Sequence, residues 1–326
     1  MPERSQRAAA PPSRDSVIPG DVVAGKYVVE GVVGRGGMGL VVAARYQTLG
    51  QRVAIKVLQL DGAPGEQSAV SATRFLREAQ AAARLTSDHV VRVHDVGQLT
   101  GGSPFMVMEL LAGEDLASLV ERLGPAPLDV AVDFVLQAAD ALGEAHAQGI
   151  VHRDVKPANL FVTRRSDGRA LVKVLDFGIS KATAGSEFDG GLTDTRAVVG
   201  SPYYMSPEQV RDAKRVDARS DIWSLGMVLY ELLAGEPAFH ADMLPAICAA
   251  IVADEPPPIG QYRLDLPGGL ADVVMRCLAK EPAQRFPDVA SLVAALARYR
   301  AAELGPAAAA WLPDVALRGS GAPRSS

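Results

Sequence analysis

Between Tyr27 and Leu110 the chain alternates short β-branched runs with turn residues. YVVEGVV, LVVAARY and QRVAIKVL follow one another across Gly-rich or Thr-Leu-Gly breaks, which predicts antiparallel strands. A helical period interrupts them once. In SATRFLREAQAAARL the apolar positions Phe75, Ala79 and Ala82 fall at i, i+4 and i+7. Two more strand-like runs, VVRVHDVG and PFMVMEL, complete a small sheet with one helix. After Gly113 the pattern turns helical. DVAVDFVLQAADALGEAHAQG places Ala131, Phe134, Val135, Ala138 and Leu142 on one face and stops at Gly149. DIWSLGMVLYELLAG repeats the pattern with Ile222, Leu225, Leu229 and Leu232 and stops at Gly235. Further helices are expected near 244–252, 269–279 and 288–301. The fold class is therefore α+β, with a β-rich N-terminal part and a larger α-helical C-terminal part. Residues 1–20, rich in Arg, Ala, Ser and Pro, read as a disordered arm, and residues 303–326 as a mobile Ala/Pro-rich tail. There is no repeat at a solenoid period.

Composition narrows the classes. A chain of 326 residues suggests two structural units, and a hydrophobic share of 48% is ample for a packed core. A net charge of −5, with no long Lys/Arg run, argues against nucleic acid and against an anionic membrane surface. The two cysteines, Cys248 and Cys277, lie far apart and outside any CxxC or Cys/His cluster, so they read as small core residues in a reducing compartment. The N-terminus lacks an apolar segment of signal-peptide length, and no stretch is long enough to span a bilayer. A soluble cytoplasmic protein is expected.

The chemistry begins at HRDVKPANL, residues 152–160. A carboxylate (Asp154), an ammonium (Lys156) and an amide (Asn159) share one short stretch, and the Pro after Lys156 argues against helix interior. A solvated turn would look the same. Other segments favour a phosphoryl-transfer site. The turn GRGGMG carries Gly34, Gly36 and Gly39, and glycines let a backbone approach phosphate oxygens closely. A strand follows this turn, which argues against a dinucleotide-binding fingerprint, where a helix must follow. In RVAIKV, period-two alternation puts Ala54 and Lys56 on one face, and a Lys on the inside of a small sheet needs a partner. The helix 71–85 offers one acid, Glu78, and the sequence leaves a partner from elsewhere open. Asp176-Phe177-Gly178 follows the apolar strand LVKVL, and with Asn159 it would add hard oxygen ligands for Mg2+. His152 reads as a packed core imidazole rather than a base.

In this order, GRGGMGLV, VAIK, RFLREA, HRDVKPAN, DFG, SPE, DIWSLG and PAQRF resemble the protein kinase family over roughly 26–300. HRDVKPANLFV, RFLREAQ and GSPYYMSPEQ are most similar to bacterial serine/threonine kinases of the eukaryotic-like type. The resemblance implies a bilobal fold, with an N-lobe over 21–112 and a C-lobe over 113–302. It implies ATP and Mg2+ as cofactors and protein substrates. By resemblance Asp154 accepts the substrate hydroxyl proton and Lys156 stabilises the transferring phosphoryl group. Asn159 and Asp176 hold the metal. Lys56, fixed by Glu78, binds phosphates under the backbone of Gly34, Gly36 and Gly39. Val33, Val41 and Ala54 line an adenine slot, with Met108 as gatekeeper and Glu109 and Leu111 as hinge residues. Ser206 and Ser201 are conservative departures from the family pattern. Glu208 is expected to pair with Arg285 as a buried structural ion pair.

The segment between Asp176 and Glu208 is polar and Gly-containing. Arg153 would be an unpaired charge unless an anion arrives. Phosphate on Thr193 or Thr195, with Ser186 and Thr183 as weaker candidates, is expected to order this segment through Arg153. Such autophosphorylation in trans implies a transient homodimer. A scaffold without turnover is disfavoured by the intact Lys56, Asp154, Asn159 and Asp176. A small-molecule kinase is disfavoured by the long segment and the SPE anchor, which build a peptide platform.

Overall fold

The computed structural model describes residues 17–36, 39–58, 66–177, 202–212, 216–241, 243–301 and 304–312. Thr183, Ser186, Thr193, Thr195, Ser201 and Gly178 lie outside the described residues. The chain divides into two compact units. The first holds the segments up to Leu76 and Val93–Leu110, and the second holds Arg77–Arg92 and everything from Leu111 on.

The first unit is built on a six-stranded antiparallel sheet in the order β1-β2-β3-β4-β6-β5. Its strands are β1 (Val22–Val23), β2 (Tyr27–Gly36), β3 (Gly39–Tyr46), β4 (Arg52–Val57), β5 (Val93–Gln98) and β6 (Pro104–Glu109). The turn between β2 and β3 closes with Gly36 opposite Gly39. At Gly39 φ is +143°, and a Cβ would meet the Val57 carbonyl oxygen at 2.1 Å, so only glycine fits. Val17, expected within a disordered arm, is 6% exposed and joins the apolar core of this sheet.

Helix α1 (Glu66–Ala82) begins before and ends before the expected 71–85, and buries Phe75, Ala79 and Ala82 as its period predicts. The unit boundary passes inside it. Residues 77–92 belong to the second unit rather than following the expected single break at 112, and bonds across that unit explain why. Glu144 accepts from the Thr86 and Ser87 N–H groups at 2.8 and 2.7 Å, and Asp140 accepts from the Ser87 hydroxyl at 2.9 Å. On its other side the segment bonds a strand, through Val91 N–H to Val174 O at 3.1 Å and Val174 N–H to His89 O at 2.7 Å.

The second unit contains a small sheet, β7 (Glu114–Asp115), β8 (Leu160–Arg164) and β9 (Ala170–Val174), in that order. Its helices are α2 (Leu116–Leu123), α3 (Leu128–Ala147), α4 (Pro207–Arg211), α5 (Ala218–Ala234), α6 (Leu244–Ala253), α7 (Leu270–Cys277) and α8 (Val289–Ala297). Helix α5 is buried on every side rather than on one face: Trp223, Met227, Val228 and Tyr230 are as inaccessible as Ile222 and Leu225. It packs against α3, α7 and α8 and ends at Gly235, whose φ of +84° is the left-handed cap. Cys248 and Cys277 are buried free thiols. The expected mobile tail does not hold for 304–312. Pro306–Trp311 forms a 3-10 helix against α2 and α3, and Trp311 is 3% exposed, because its indole finds apolar cover there. Among the described residues no helix is long and apolar enough to cross a membrane.

Candidate active site

In the first unit the strand register sorts the side chains. Val42, Ile55 and Val107 stand opposite one another across β3, β4 and β6, and with Val53, Val57 and Phe105 they belong to the apolar core. The period of two turns Val41, Ala54, Lys56 and Met108 to the other face. There Val41 pairs with Lys56, and Ala54 with Met108. Lys56 is 7% exposed, an ammonium held almost wholly inside the protein. Val33 falls at an irregularity in the β2–β3 register and is exposed. Gly34 pairs with Val41 and has open space where a Cβ would stand. Glu109 ends β6, half-buried.

In the second unit Glu78 is buried on α1, and Leu111 is half-buried. The loop 152–159 is assembled by short-range polar bonds. Lys156 Nζ donates to Asp154 Oδ2 at 2.9 Å. Asn159 Nδ2 donates to the Asp154 carbonyl at 2.8 Å and to Asp154 Oδ2 at 3.1 Å. The Leu175 N–H donates to Asn159 O at 2.9 Å, so Asp176 is tied to this loop through the backbone. Asp154, Lys156, Asn159 and Asp176 are thus brought together within one unit.

The loop is strained at two non-glycine positions, Arg153 (φ +66°) and Asp176 (φ +47°). Left-handed backbone at such residues costs roughly 1–3 kcal/mol each, and it persists only where surroundings hold it. Sequence reasoning assigned no role to the residue that holds Arg153. That residue is Asp221, fully buried in the first turn of α5. Its Oδ1 accepts from the Arg153 N–H at 2.8 Å, and its Oδ2 accepts from the His152 N–H at 2.8 Å. Oδ2 also lies 2.7 Å from His146 Nε2. From the other side Gln209 Nε2 donates to Arg153 O at 2.8 Å. The signal was present in DIWSLG as an acid in the first turn of a helix that is apolar over most of its length. The Arg153 guanidinium makes no hydrogen bond or ion pair among the described residues, and burial pushes it below its ordinary value against the pull of Asp221.

His152 is a core imidazole, 0% exposed. It takes the Asp154 N–H on Nδ1 at 3.2 Å and donates Nε2–H to Leu175 O at 3.0 Å, with its ring 4.7 Å from that of Phe177. Burial depresses its pKa, outweighing Asp221 and Asp154. The unfolded chain therefore binds this proton more readily. The contribution to stability is full above the unfolded value of about 6.5 and falls with acidification by up to about 1.4 kcal/mol per pH unit. Melting temperatures between pH 7 and pH 5 are expected to drop less steeply in His152→Gln than in the wild type. Parallel curves would refute the assignment.

No cluster of three or more His, Cys, Asp or Glu is present among the described residues. An amide oxygen and one carboxylate suit Mg2+, which keeps several waters and takes few protein ligands. The donor set of Asn159 and Asp176 therefore fits that ion.

Comparison with known proteins places the chain in a family. The model of the protein kinase domain matches residues 27–294. The chain is 38% identical over 276 residues to serine/threonine-protein kinase pkn3 of Myxococcus xanthus, covering 84% of this chain and 50% of that protein. It is 40% identical over 281 residues to serine/threonine-protein kinase PknB of Mycobacterium tuberculosis, covering 85% and 43%. The chain thus spans about half the length of the curated relatives it matches. The crystal structure of the Mycobacterium tuberculosis PknI kinase domain aligns with a TM-score of 0.66 at 28% identity, over 87% of this chain and 100% of that one.

Proposed function

From the premise that this chain belongs to the protein kinase domain family, we propose that it transfers the γ-phosphoryl group of ATP to serine and threonine hydroxyls of proteins. The observation that carries the reading is the bonding of Asp154, Lys156 and Asn159 to one another, with Leu175 tying Asp176 to the same loop. Bound Mg2+ and ATP supply the electrophilic phosphorus and a divalent charge against the phosphate oxygens. The chain's own residues do the rest. Asp154 Oδ atoms orient the incoming hydroxyl and take its proton, while Lys156 sets an ammonium against the transferring group. The Asn159 carbonyl oxygen and the Asp176 carboxylate supply metal ligands. Lys56, with Glu78 as its proposed carboxylate partner, binds phosphates, and the backbone N–H groups of Gly34, Gly36 and Gly39 cover them. Val33, Val41 and Ala54 give an apolar slot to adenine beside Met108. Glu109 and Leu111 offer it backbone groups.

Charge-assisted activation belongs to the same reading. Arg153 is held beside Asp154 with its guanidinium available to an anion. Phosphate on Thr193 or Thr195 would supply that anion through a bidentate acceptor, added in trans by a second copy in a transient homodimer. A cytoplasmic location follows from the need for ATP, and the buried free thiols Cys248 and Cys277 suit a reducing compartment. The test is incorporation of labelled phosphate from Mg·ATP into a serine/threonine peptide, with mass spectrometry of the kinase itself. The wild type is expected to label the peptide and to carry phosphate at Thr193 or Thr195. Peptide left unlabelled sinks the transfer, and a wild type bare at both threonines sinks the activation.

A further inference from the structure

Residues beyond 294 lie outside the stretch that the family match covers, yet some of them are as firmly packed as the core. Trp311 and Ala308 are 3% and 2% exposed. The Gly305 N–H donates to Asp129 Oδ2 at 2.7 Å, at the start of α3. Five residues earlier the half-exposed Arg300 donates from Nε to Asp133 Oδ1 at 3.0 Å, with Nη2 in an ion pair 2.9 Å from the same oxygen. Asp133 is 8% exposed, so its charge needs this cation. Its other oxygen accepts from Gln137 Nε2 at 2.6 Å. Gln137, equally buried, turns its Oε1 to the Val172 N–H at 2.9 Å.

Val172 lies on the outer edge of the β7-β8-β9 sheet. Residues 89–91 bond to that edge through His89 Nδ1 with Val172 O, Val174 N–H to His89 O and Val91 N–H to Val174 O, and Gln137 Nε2 also donates to Ala170 O at 3.5 Å. The Val172 N–H depends on Gln137, and a buried donor left without an acceptor forces the strand to move. Asp176 stands two residues past the end of this strand, in a backbone conformation that its surroundings must hold.

We propose that Arg300 is a positioning residue for Asp176. It acts through Asp133 and Gln137 on β9, and residues 304–312, bonded to Asp129 one turn before Asp133, brace the same helix. The cation fixes which Asp133 oxygen faces Gln137, and this fixes the amide that anchors the strand. The inference rests on the phosphotransfer reading, because it is that reading which gives Asp176 a metal.

The experiment uses the full chain as wild type, Arg300→Met, Arg300→Lys, Trp311→Ala and the double variant Arg300→Met/Asp133→Asn. Two quantities are read. One is Mn2+ affinity by electron paramagnetic resonance, with a non-hydrolysable ATP analogue and no turnover. The other is the Mg2+ concentration giving half-maximal peptide phosphorylation. In Arg300→Met both are expected to weaken about fivefold with peptide KM unchanged. Arg300→Lys recovers most of the loss, the double variant loses no more than the single, and Trp311→Ala shifts the same way. An active wild type whose Arg300→Met variant binds Mn2+ within about twofold of it overturns the proposal, whatever its melting temperature. Should Arg300→Met not fold, Trp311→Ala decides by the same Mn2+ measurement. A wild type that transfers no phosphate, while Mn2+ affinity still shifts in the variants, overturns the phosphotransfer reading and leaves the coupling standing.

Discussion

Replacing Asp154 by asparagine is expected to lower kcat for peptide phosphorylation about 1000-fold, while nucleotide affinity stays within a factor of about three. The substitution is nearly isosteric, so the loop keeps its shape. What changes is the acceptor. Asp154 Oδ2 takes hydrogen bonds from both Lys156 Nζ and Asn159 Nδ2, which holds the carboxylate in one orientation. An amide there offers one oxygen where the carboxylate offered two and cannot carry away a proton. Lys156 also loses the counter-charge that fixes its ammonium. In the proposed reading the group acts on the incoming hydroxyl and not on the nucleotide, so the loss is expected to fall on kcat. Steady-state kinetics alongside a melting curve checks this. A folded variant within tenfold of wild-type kcat would remove Asp154 from the chemistry.

The parts of this site legible in the sequence were those built from near neighbours. Asp154, Lys156 and Asn159 lie within six positions, and their mutual bonds follow from a loop too short to separate them. The strand that carries Lys56 could be read from its alternation, and its two faces are sorted as that alternation requires. Long-range partners could not be read. Asp221 reaches His152 and Arg153 from 69 and 68 positions away, and nothing in the local pattern says where a buried acid will point. The same holds for residues 77–92, which join the second unit through partners on α3 and β9. Helix α5 misled because it is buried on every side, so the face read from its period was part of a cylinder. Helix α2 was missed because two turns give too few positions for a period, although Asp115 caps it by accepting the Ser118 N–H at 3.0 Å. Trp311 sat in a stretch whose composition favoured mobility, and one indole with a socket overrode that composition.

Arg285→Met is expected to cost about 3–5 kcal/mol of stability at neutral pH, the largest loss from any single change in the helical unit's polar core. The pair it breaks was legible in the sequence as a buried one, but the backbone carbonyls that share the guanidinium were not. Arg285 is 1% exposed and places every N–H. Nη1 donates to Glu208 Oε1 at 2.7 Å and to Arg219 O at 2.9 Å. Nη2 donates to Glu208 Oε2 at 2.8 Å and to Lys280 O at 3.1 Å, and Nε donates to Ala279 O at 2.8 Å. The guanidinium also lies 5.1 Å over the Trp223 ring. Methionine fills the volume and satisfies none of these acceptors. Glu208 is left with the Ser220 hydroxyl, 2.5 Å away, and a half-buried charge that has lost its cation. The damage travels toward the active loop, because the next residue, Gln209, holds the Arg153 carbonyl.

The pH dependence gives the pair a signature. Burial pushes the Glu208 carboxyl up, but the bond and charge of Arg285 outweigh it and hold it below its ordinary value. In the wild type this stabilisation is present above the unfolded value near 4.3 and is lost only as pH falls through the lower folded value. Without Arg285 burial is opposed only by the Ser220 hydroxyl and a backbone N–H, so the folded pKa moves up and the variant's deficit shrinks as Glu208 takes up a proton. The gap between the two proteins should therefore narrow from pH 7 to pH 5, and Glu208→Gln in the Arg285→Met background should recover part of the loss at pH 7. Calorimetric unfolding at both pH values tests the account. A gap that widens on acidification would mean that the buried charge of Glu208 is not what destabilises the variant.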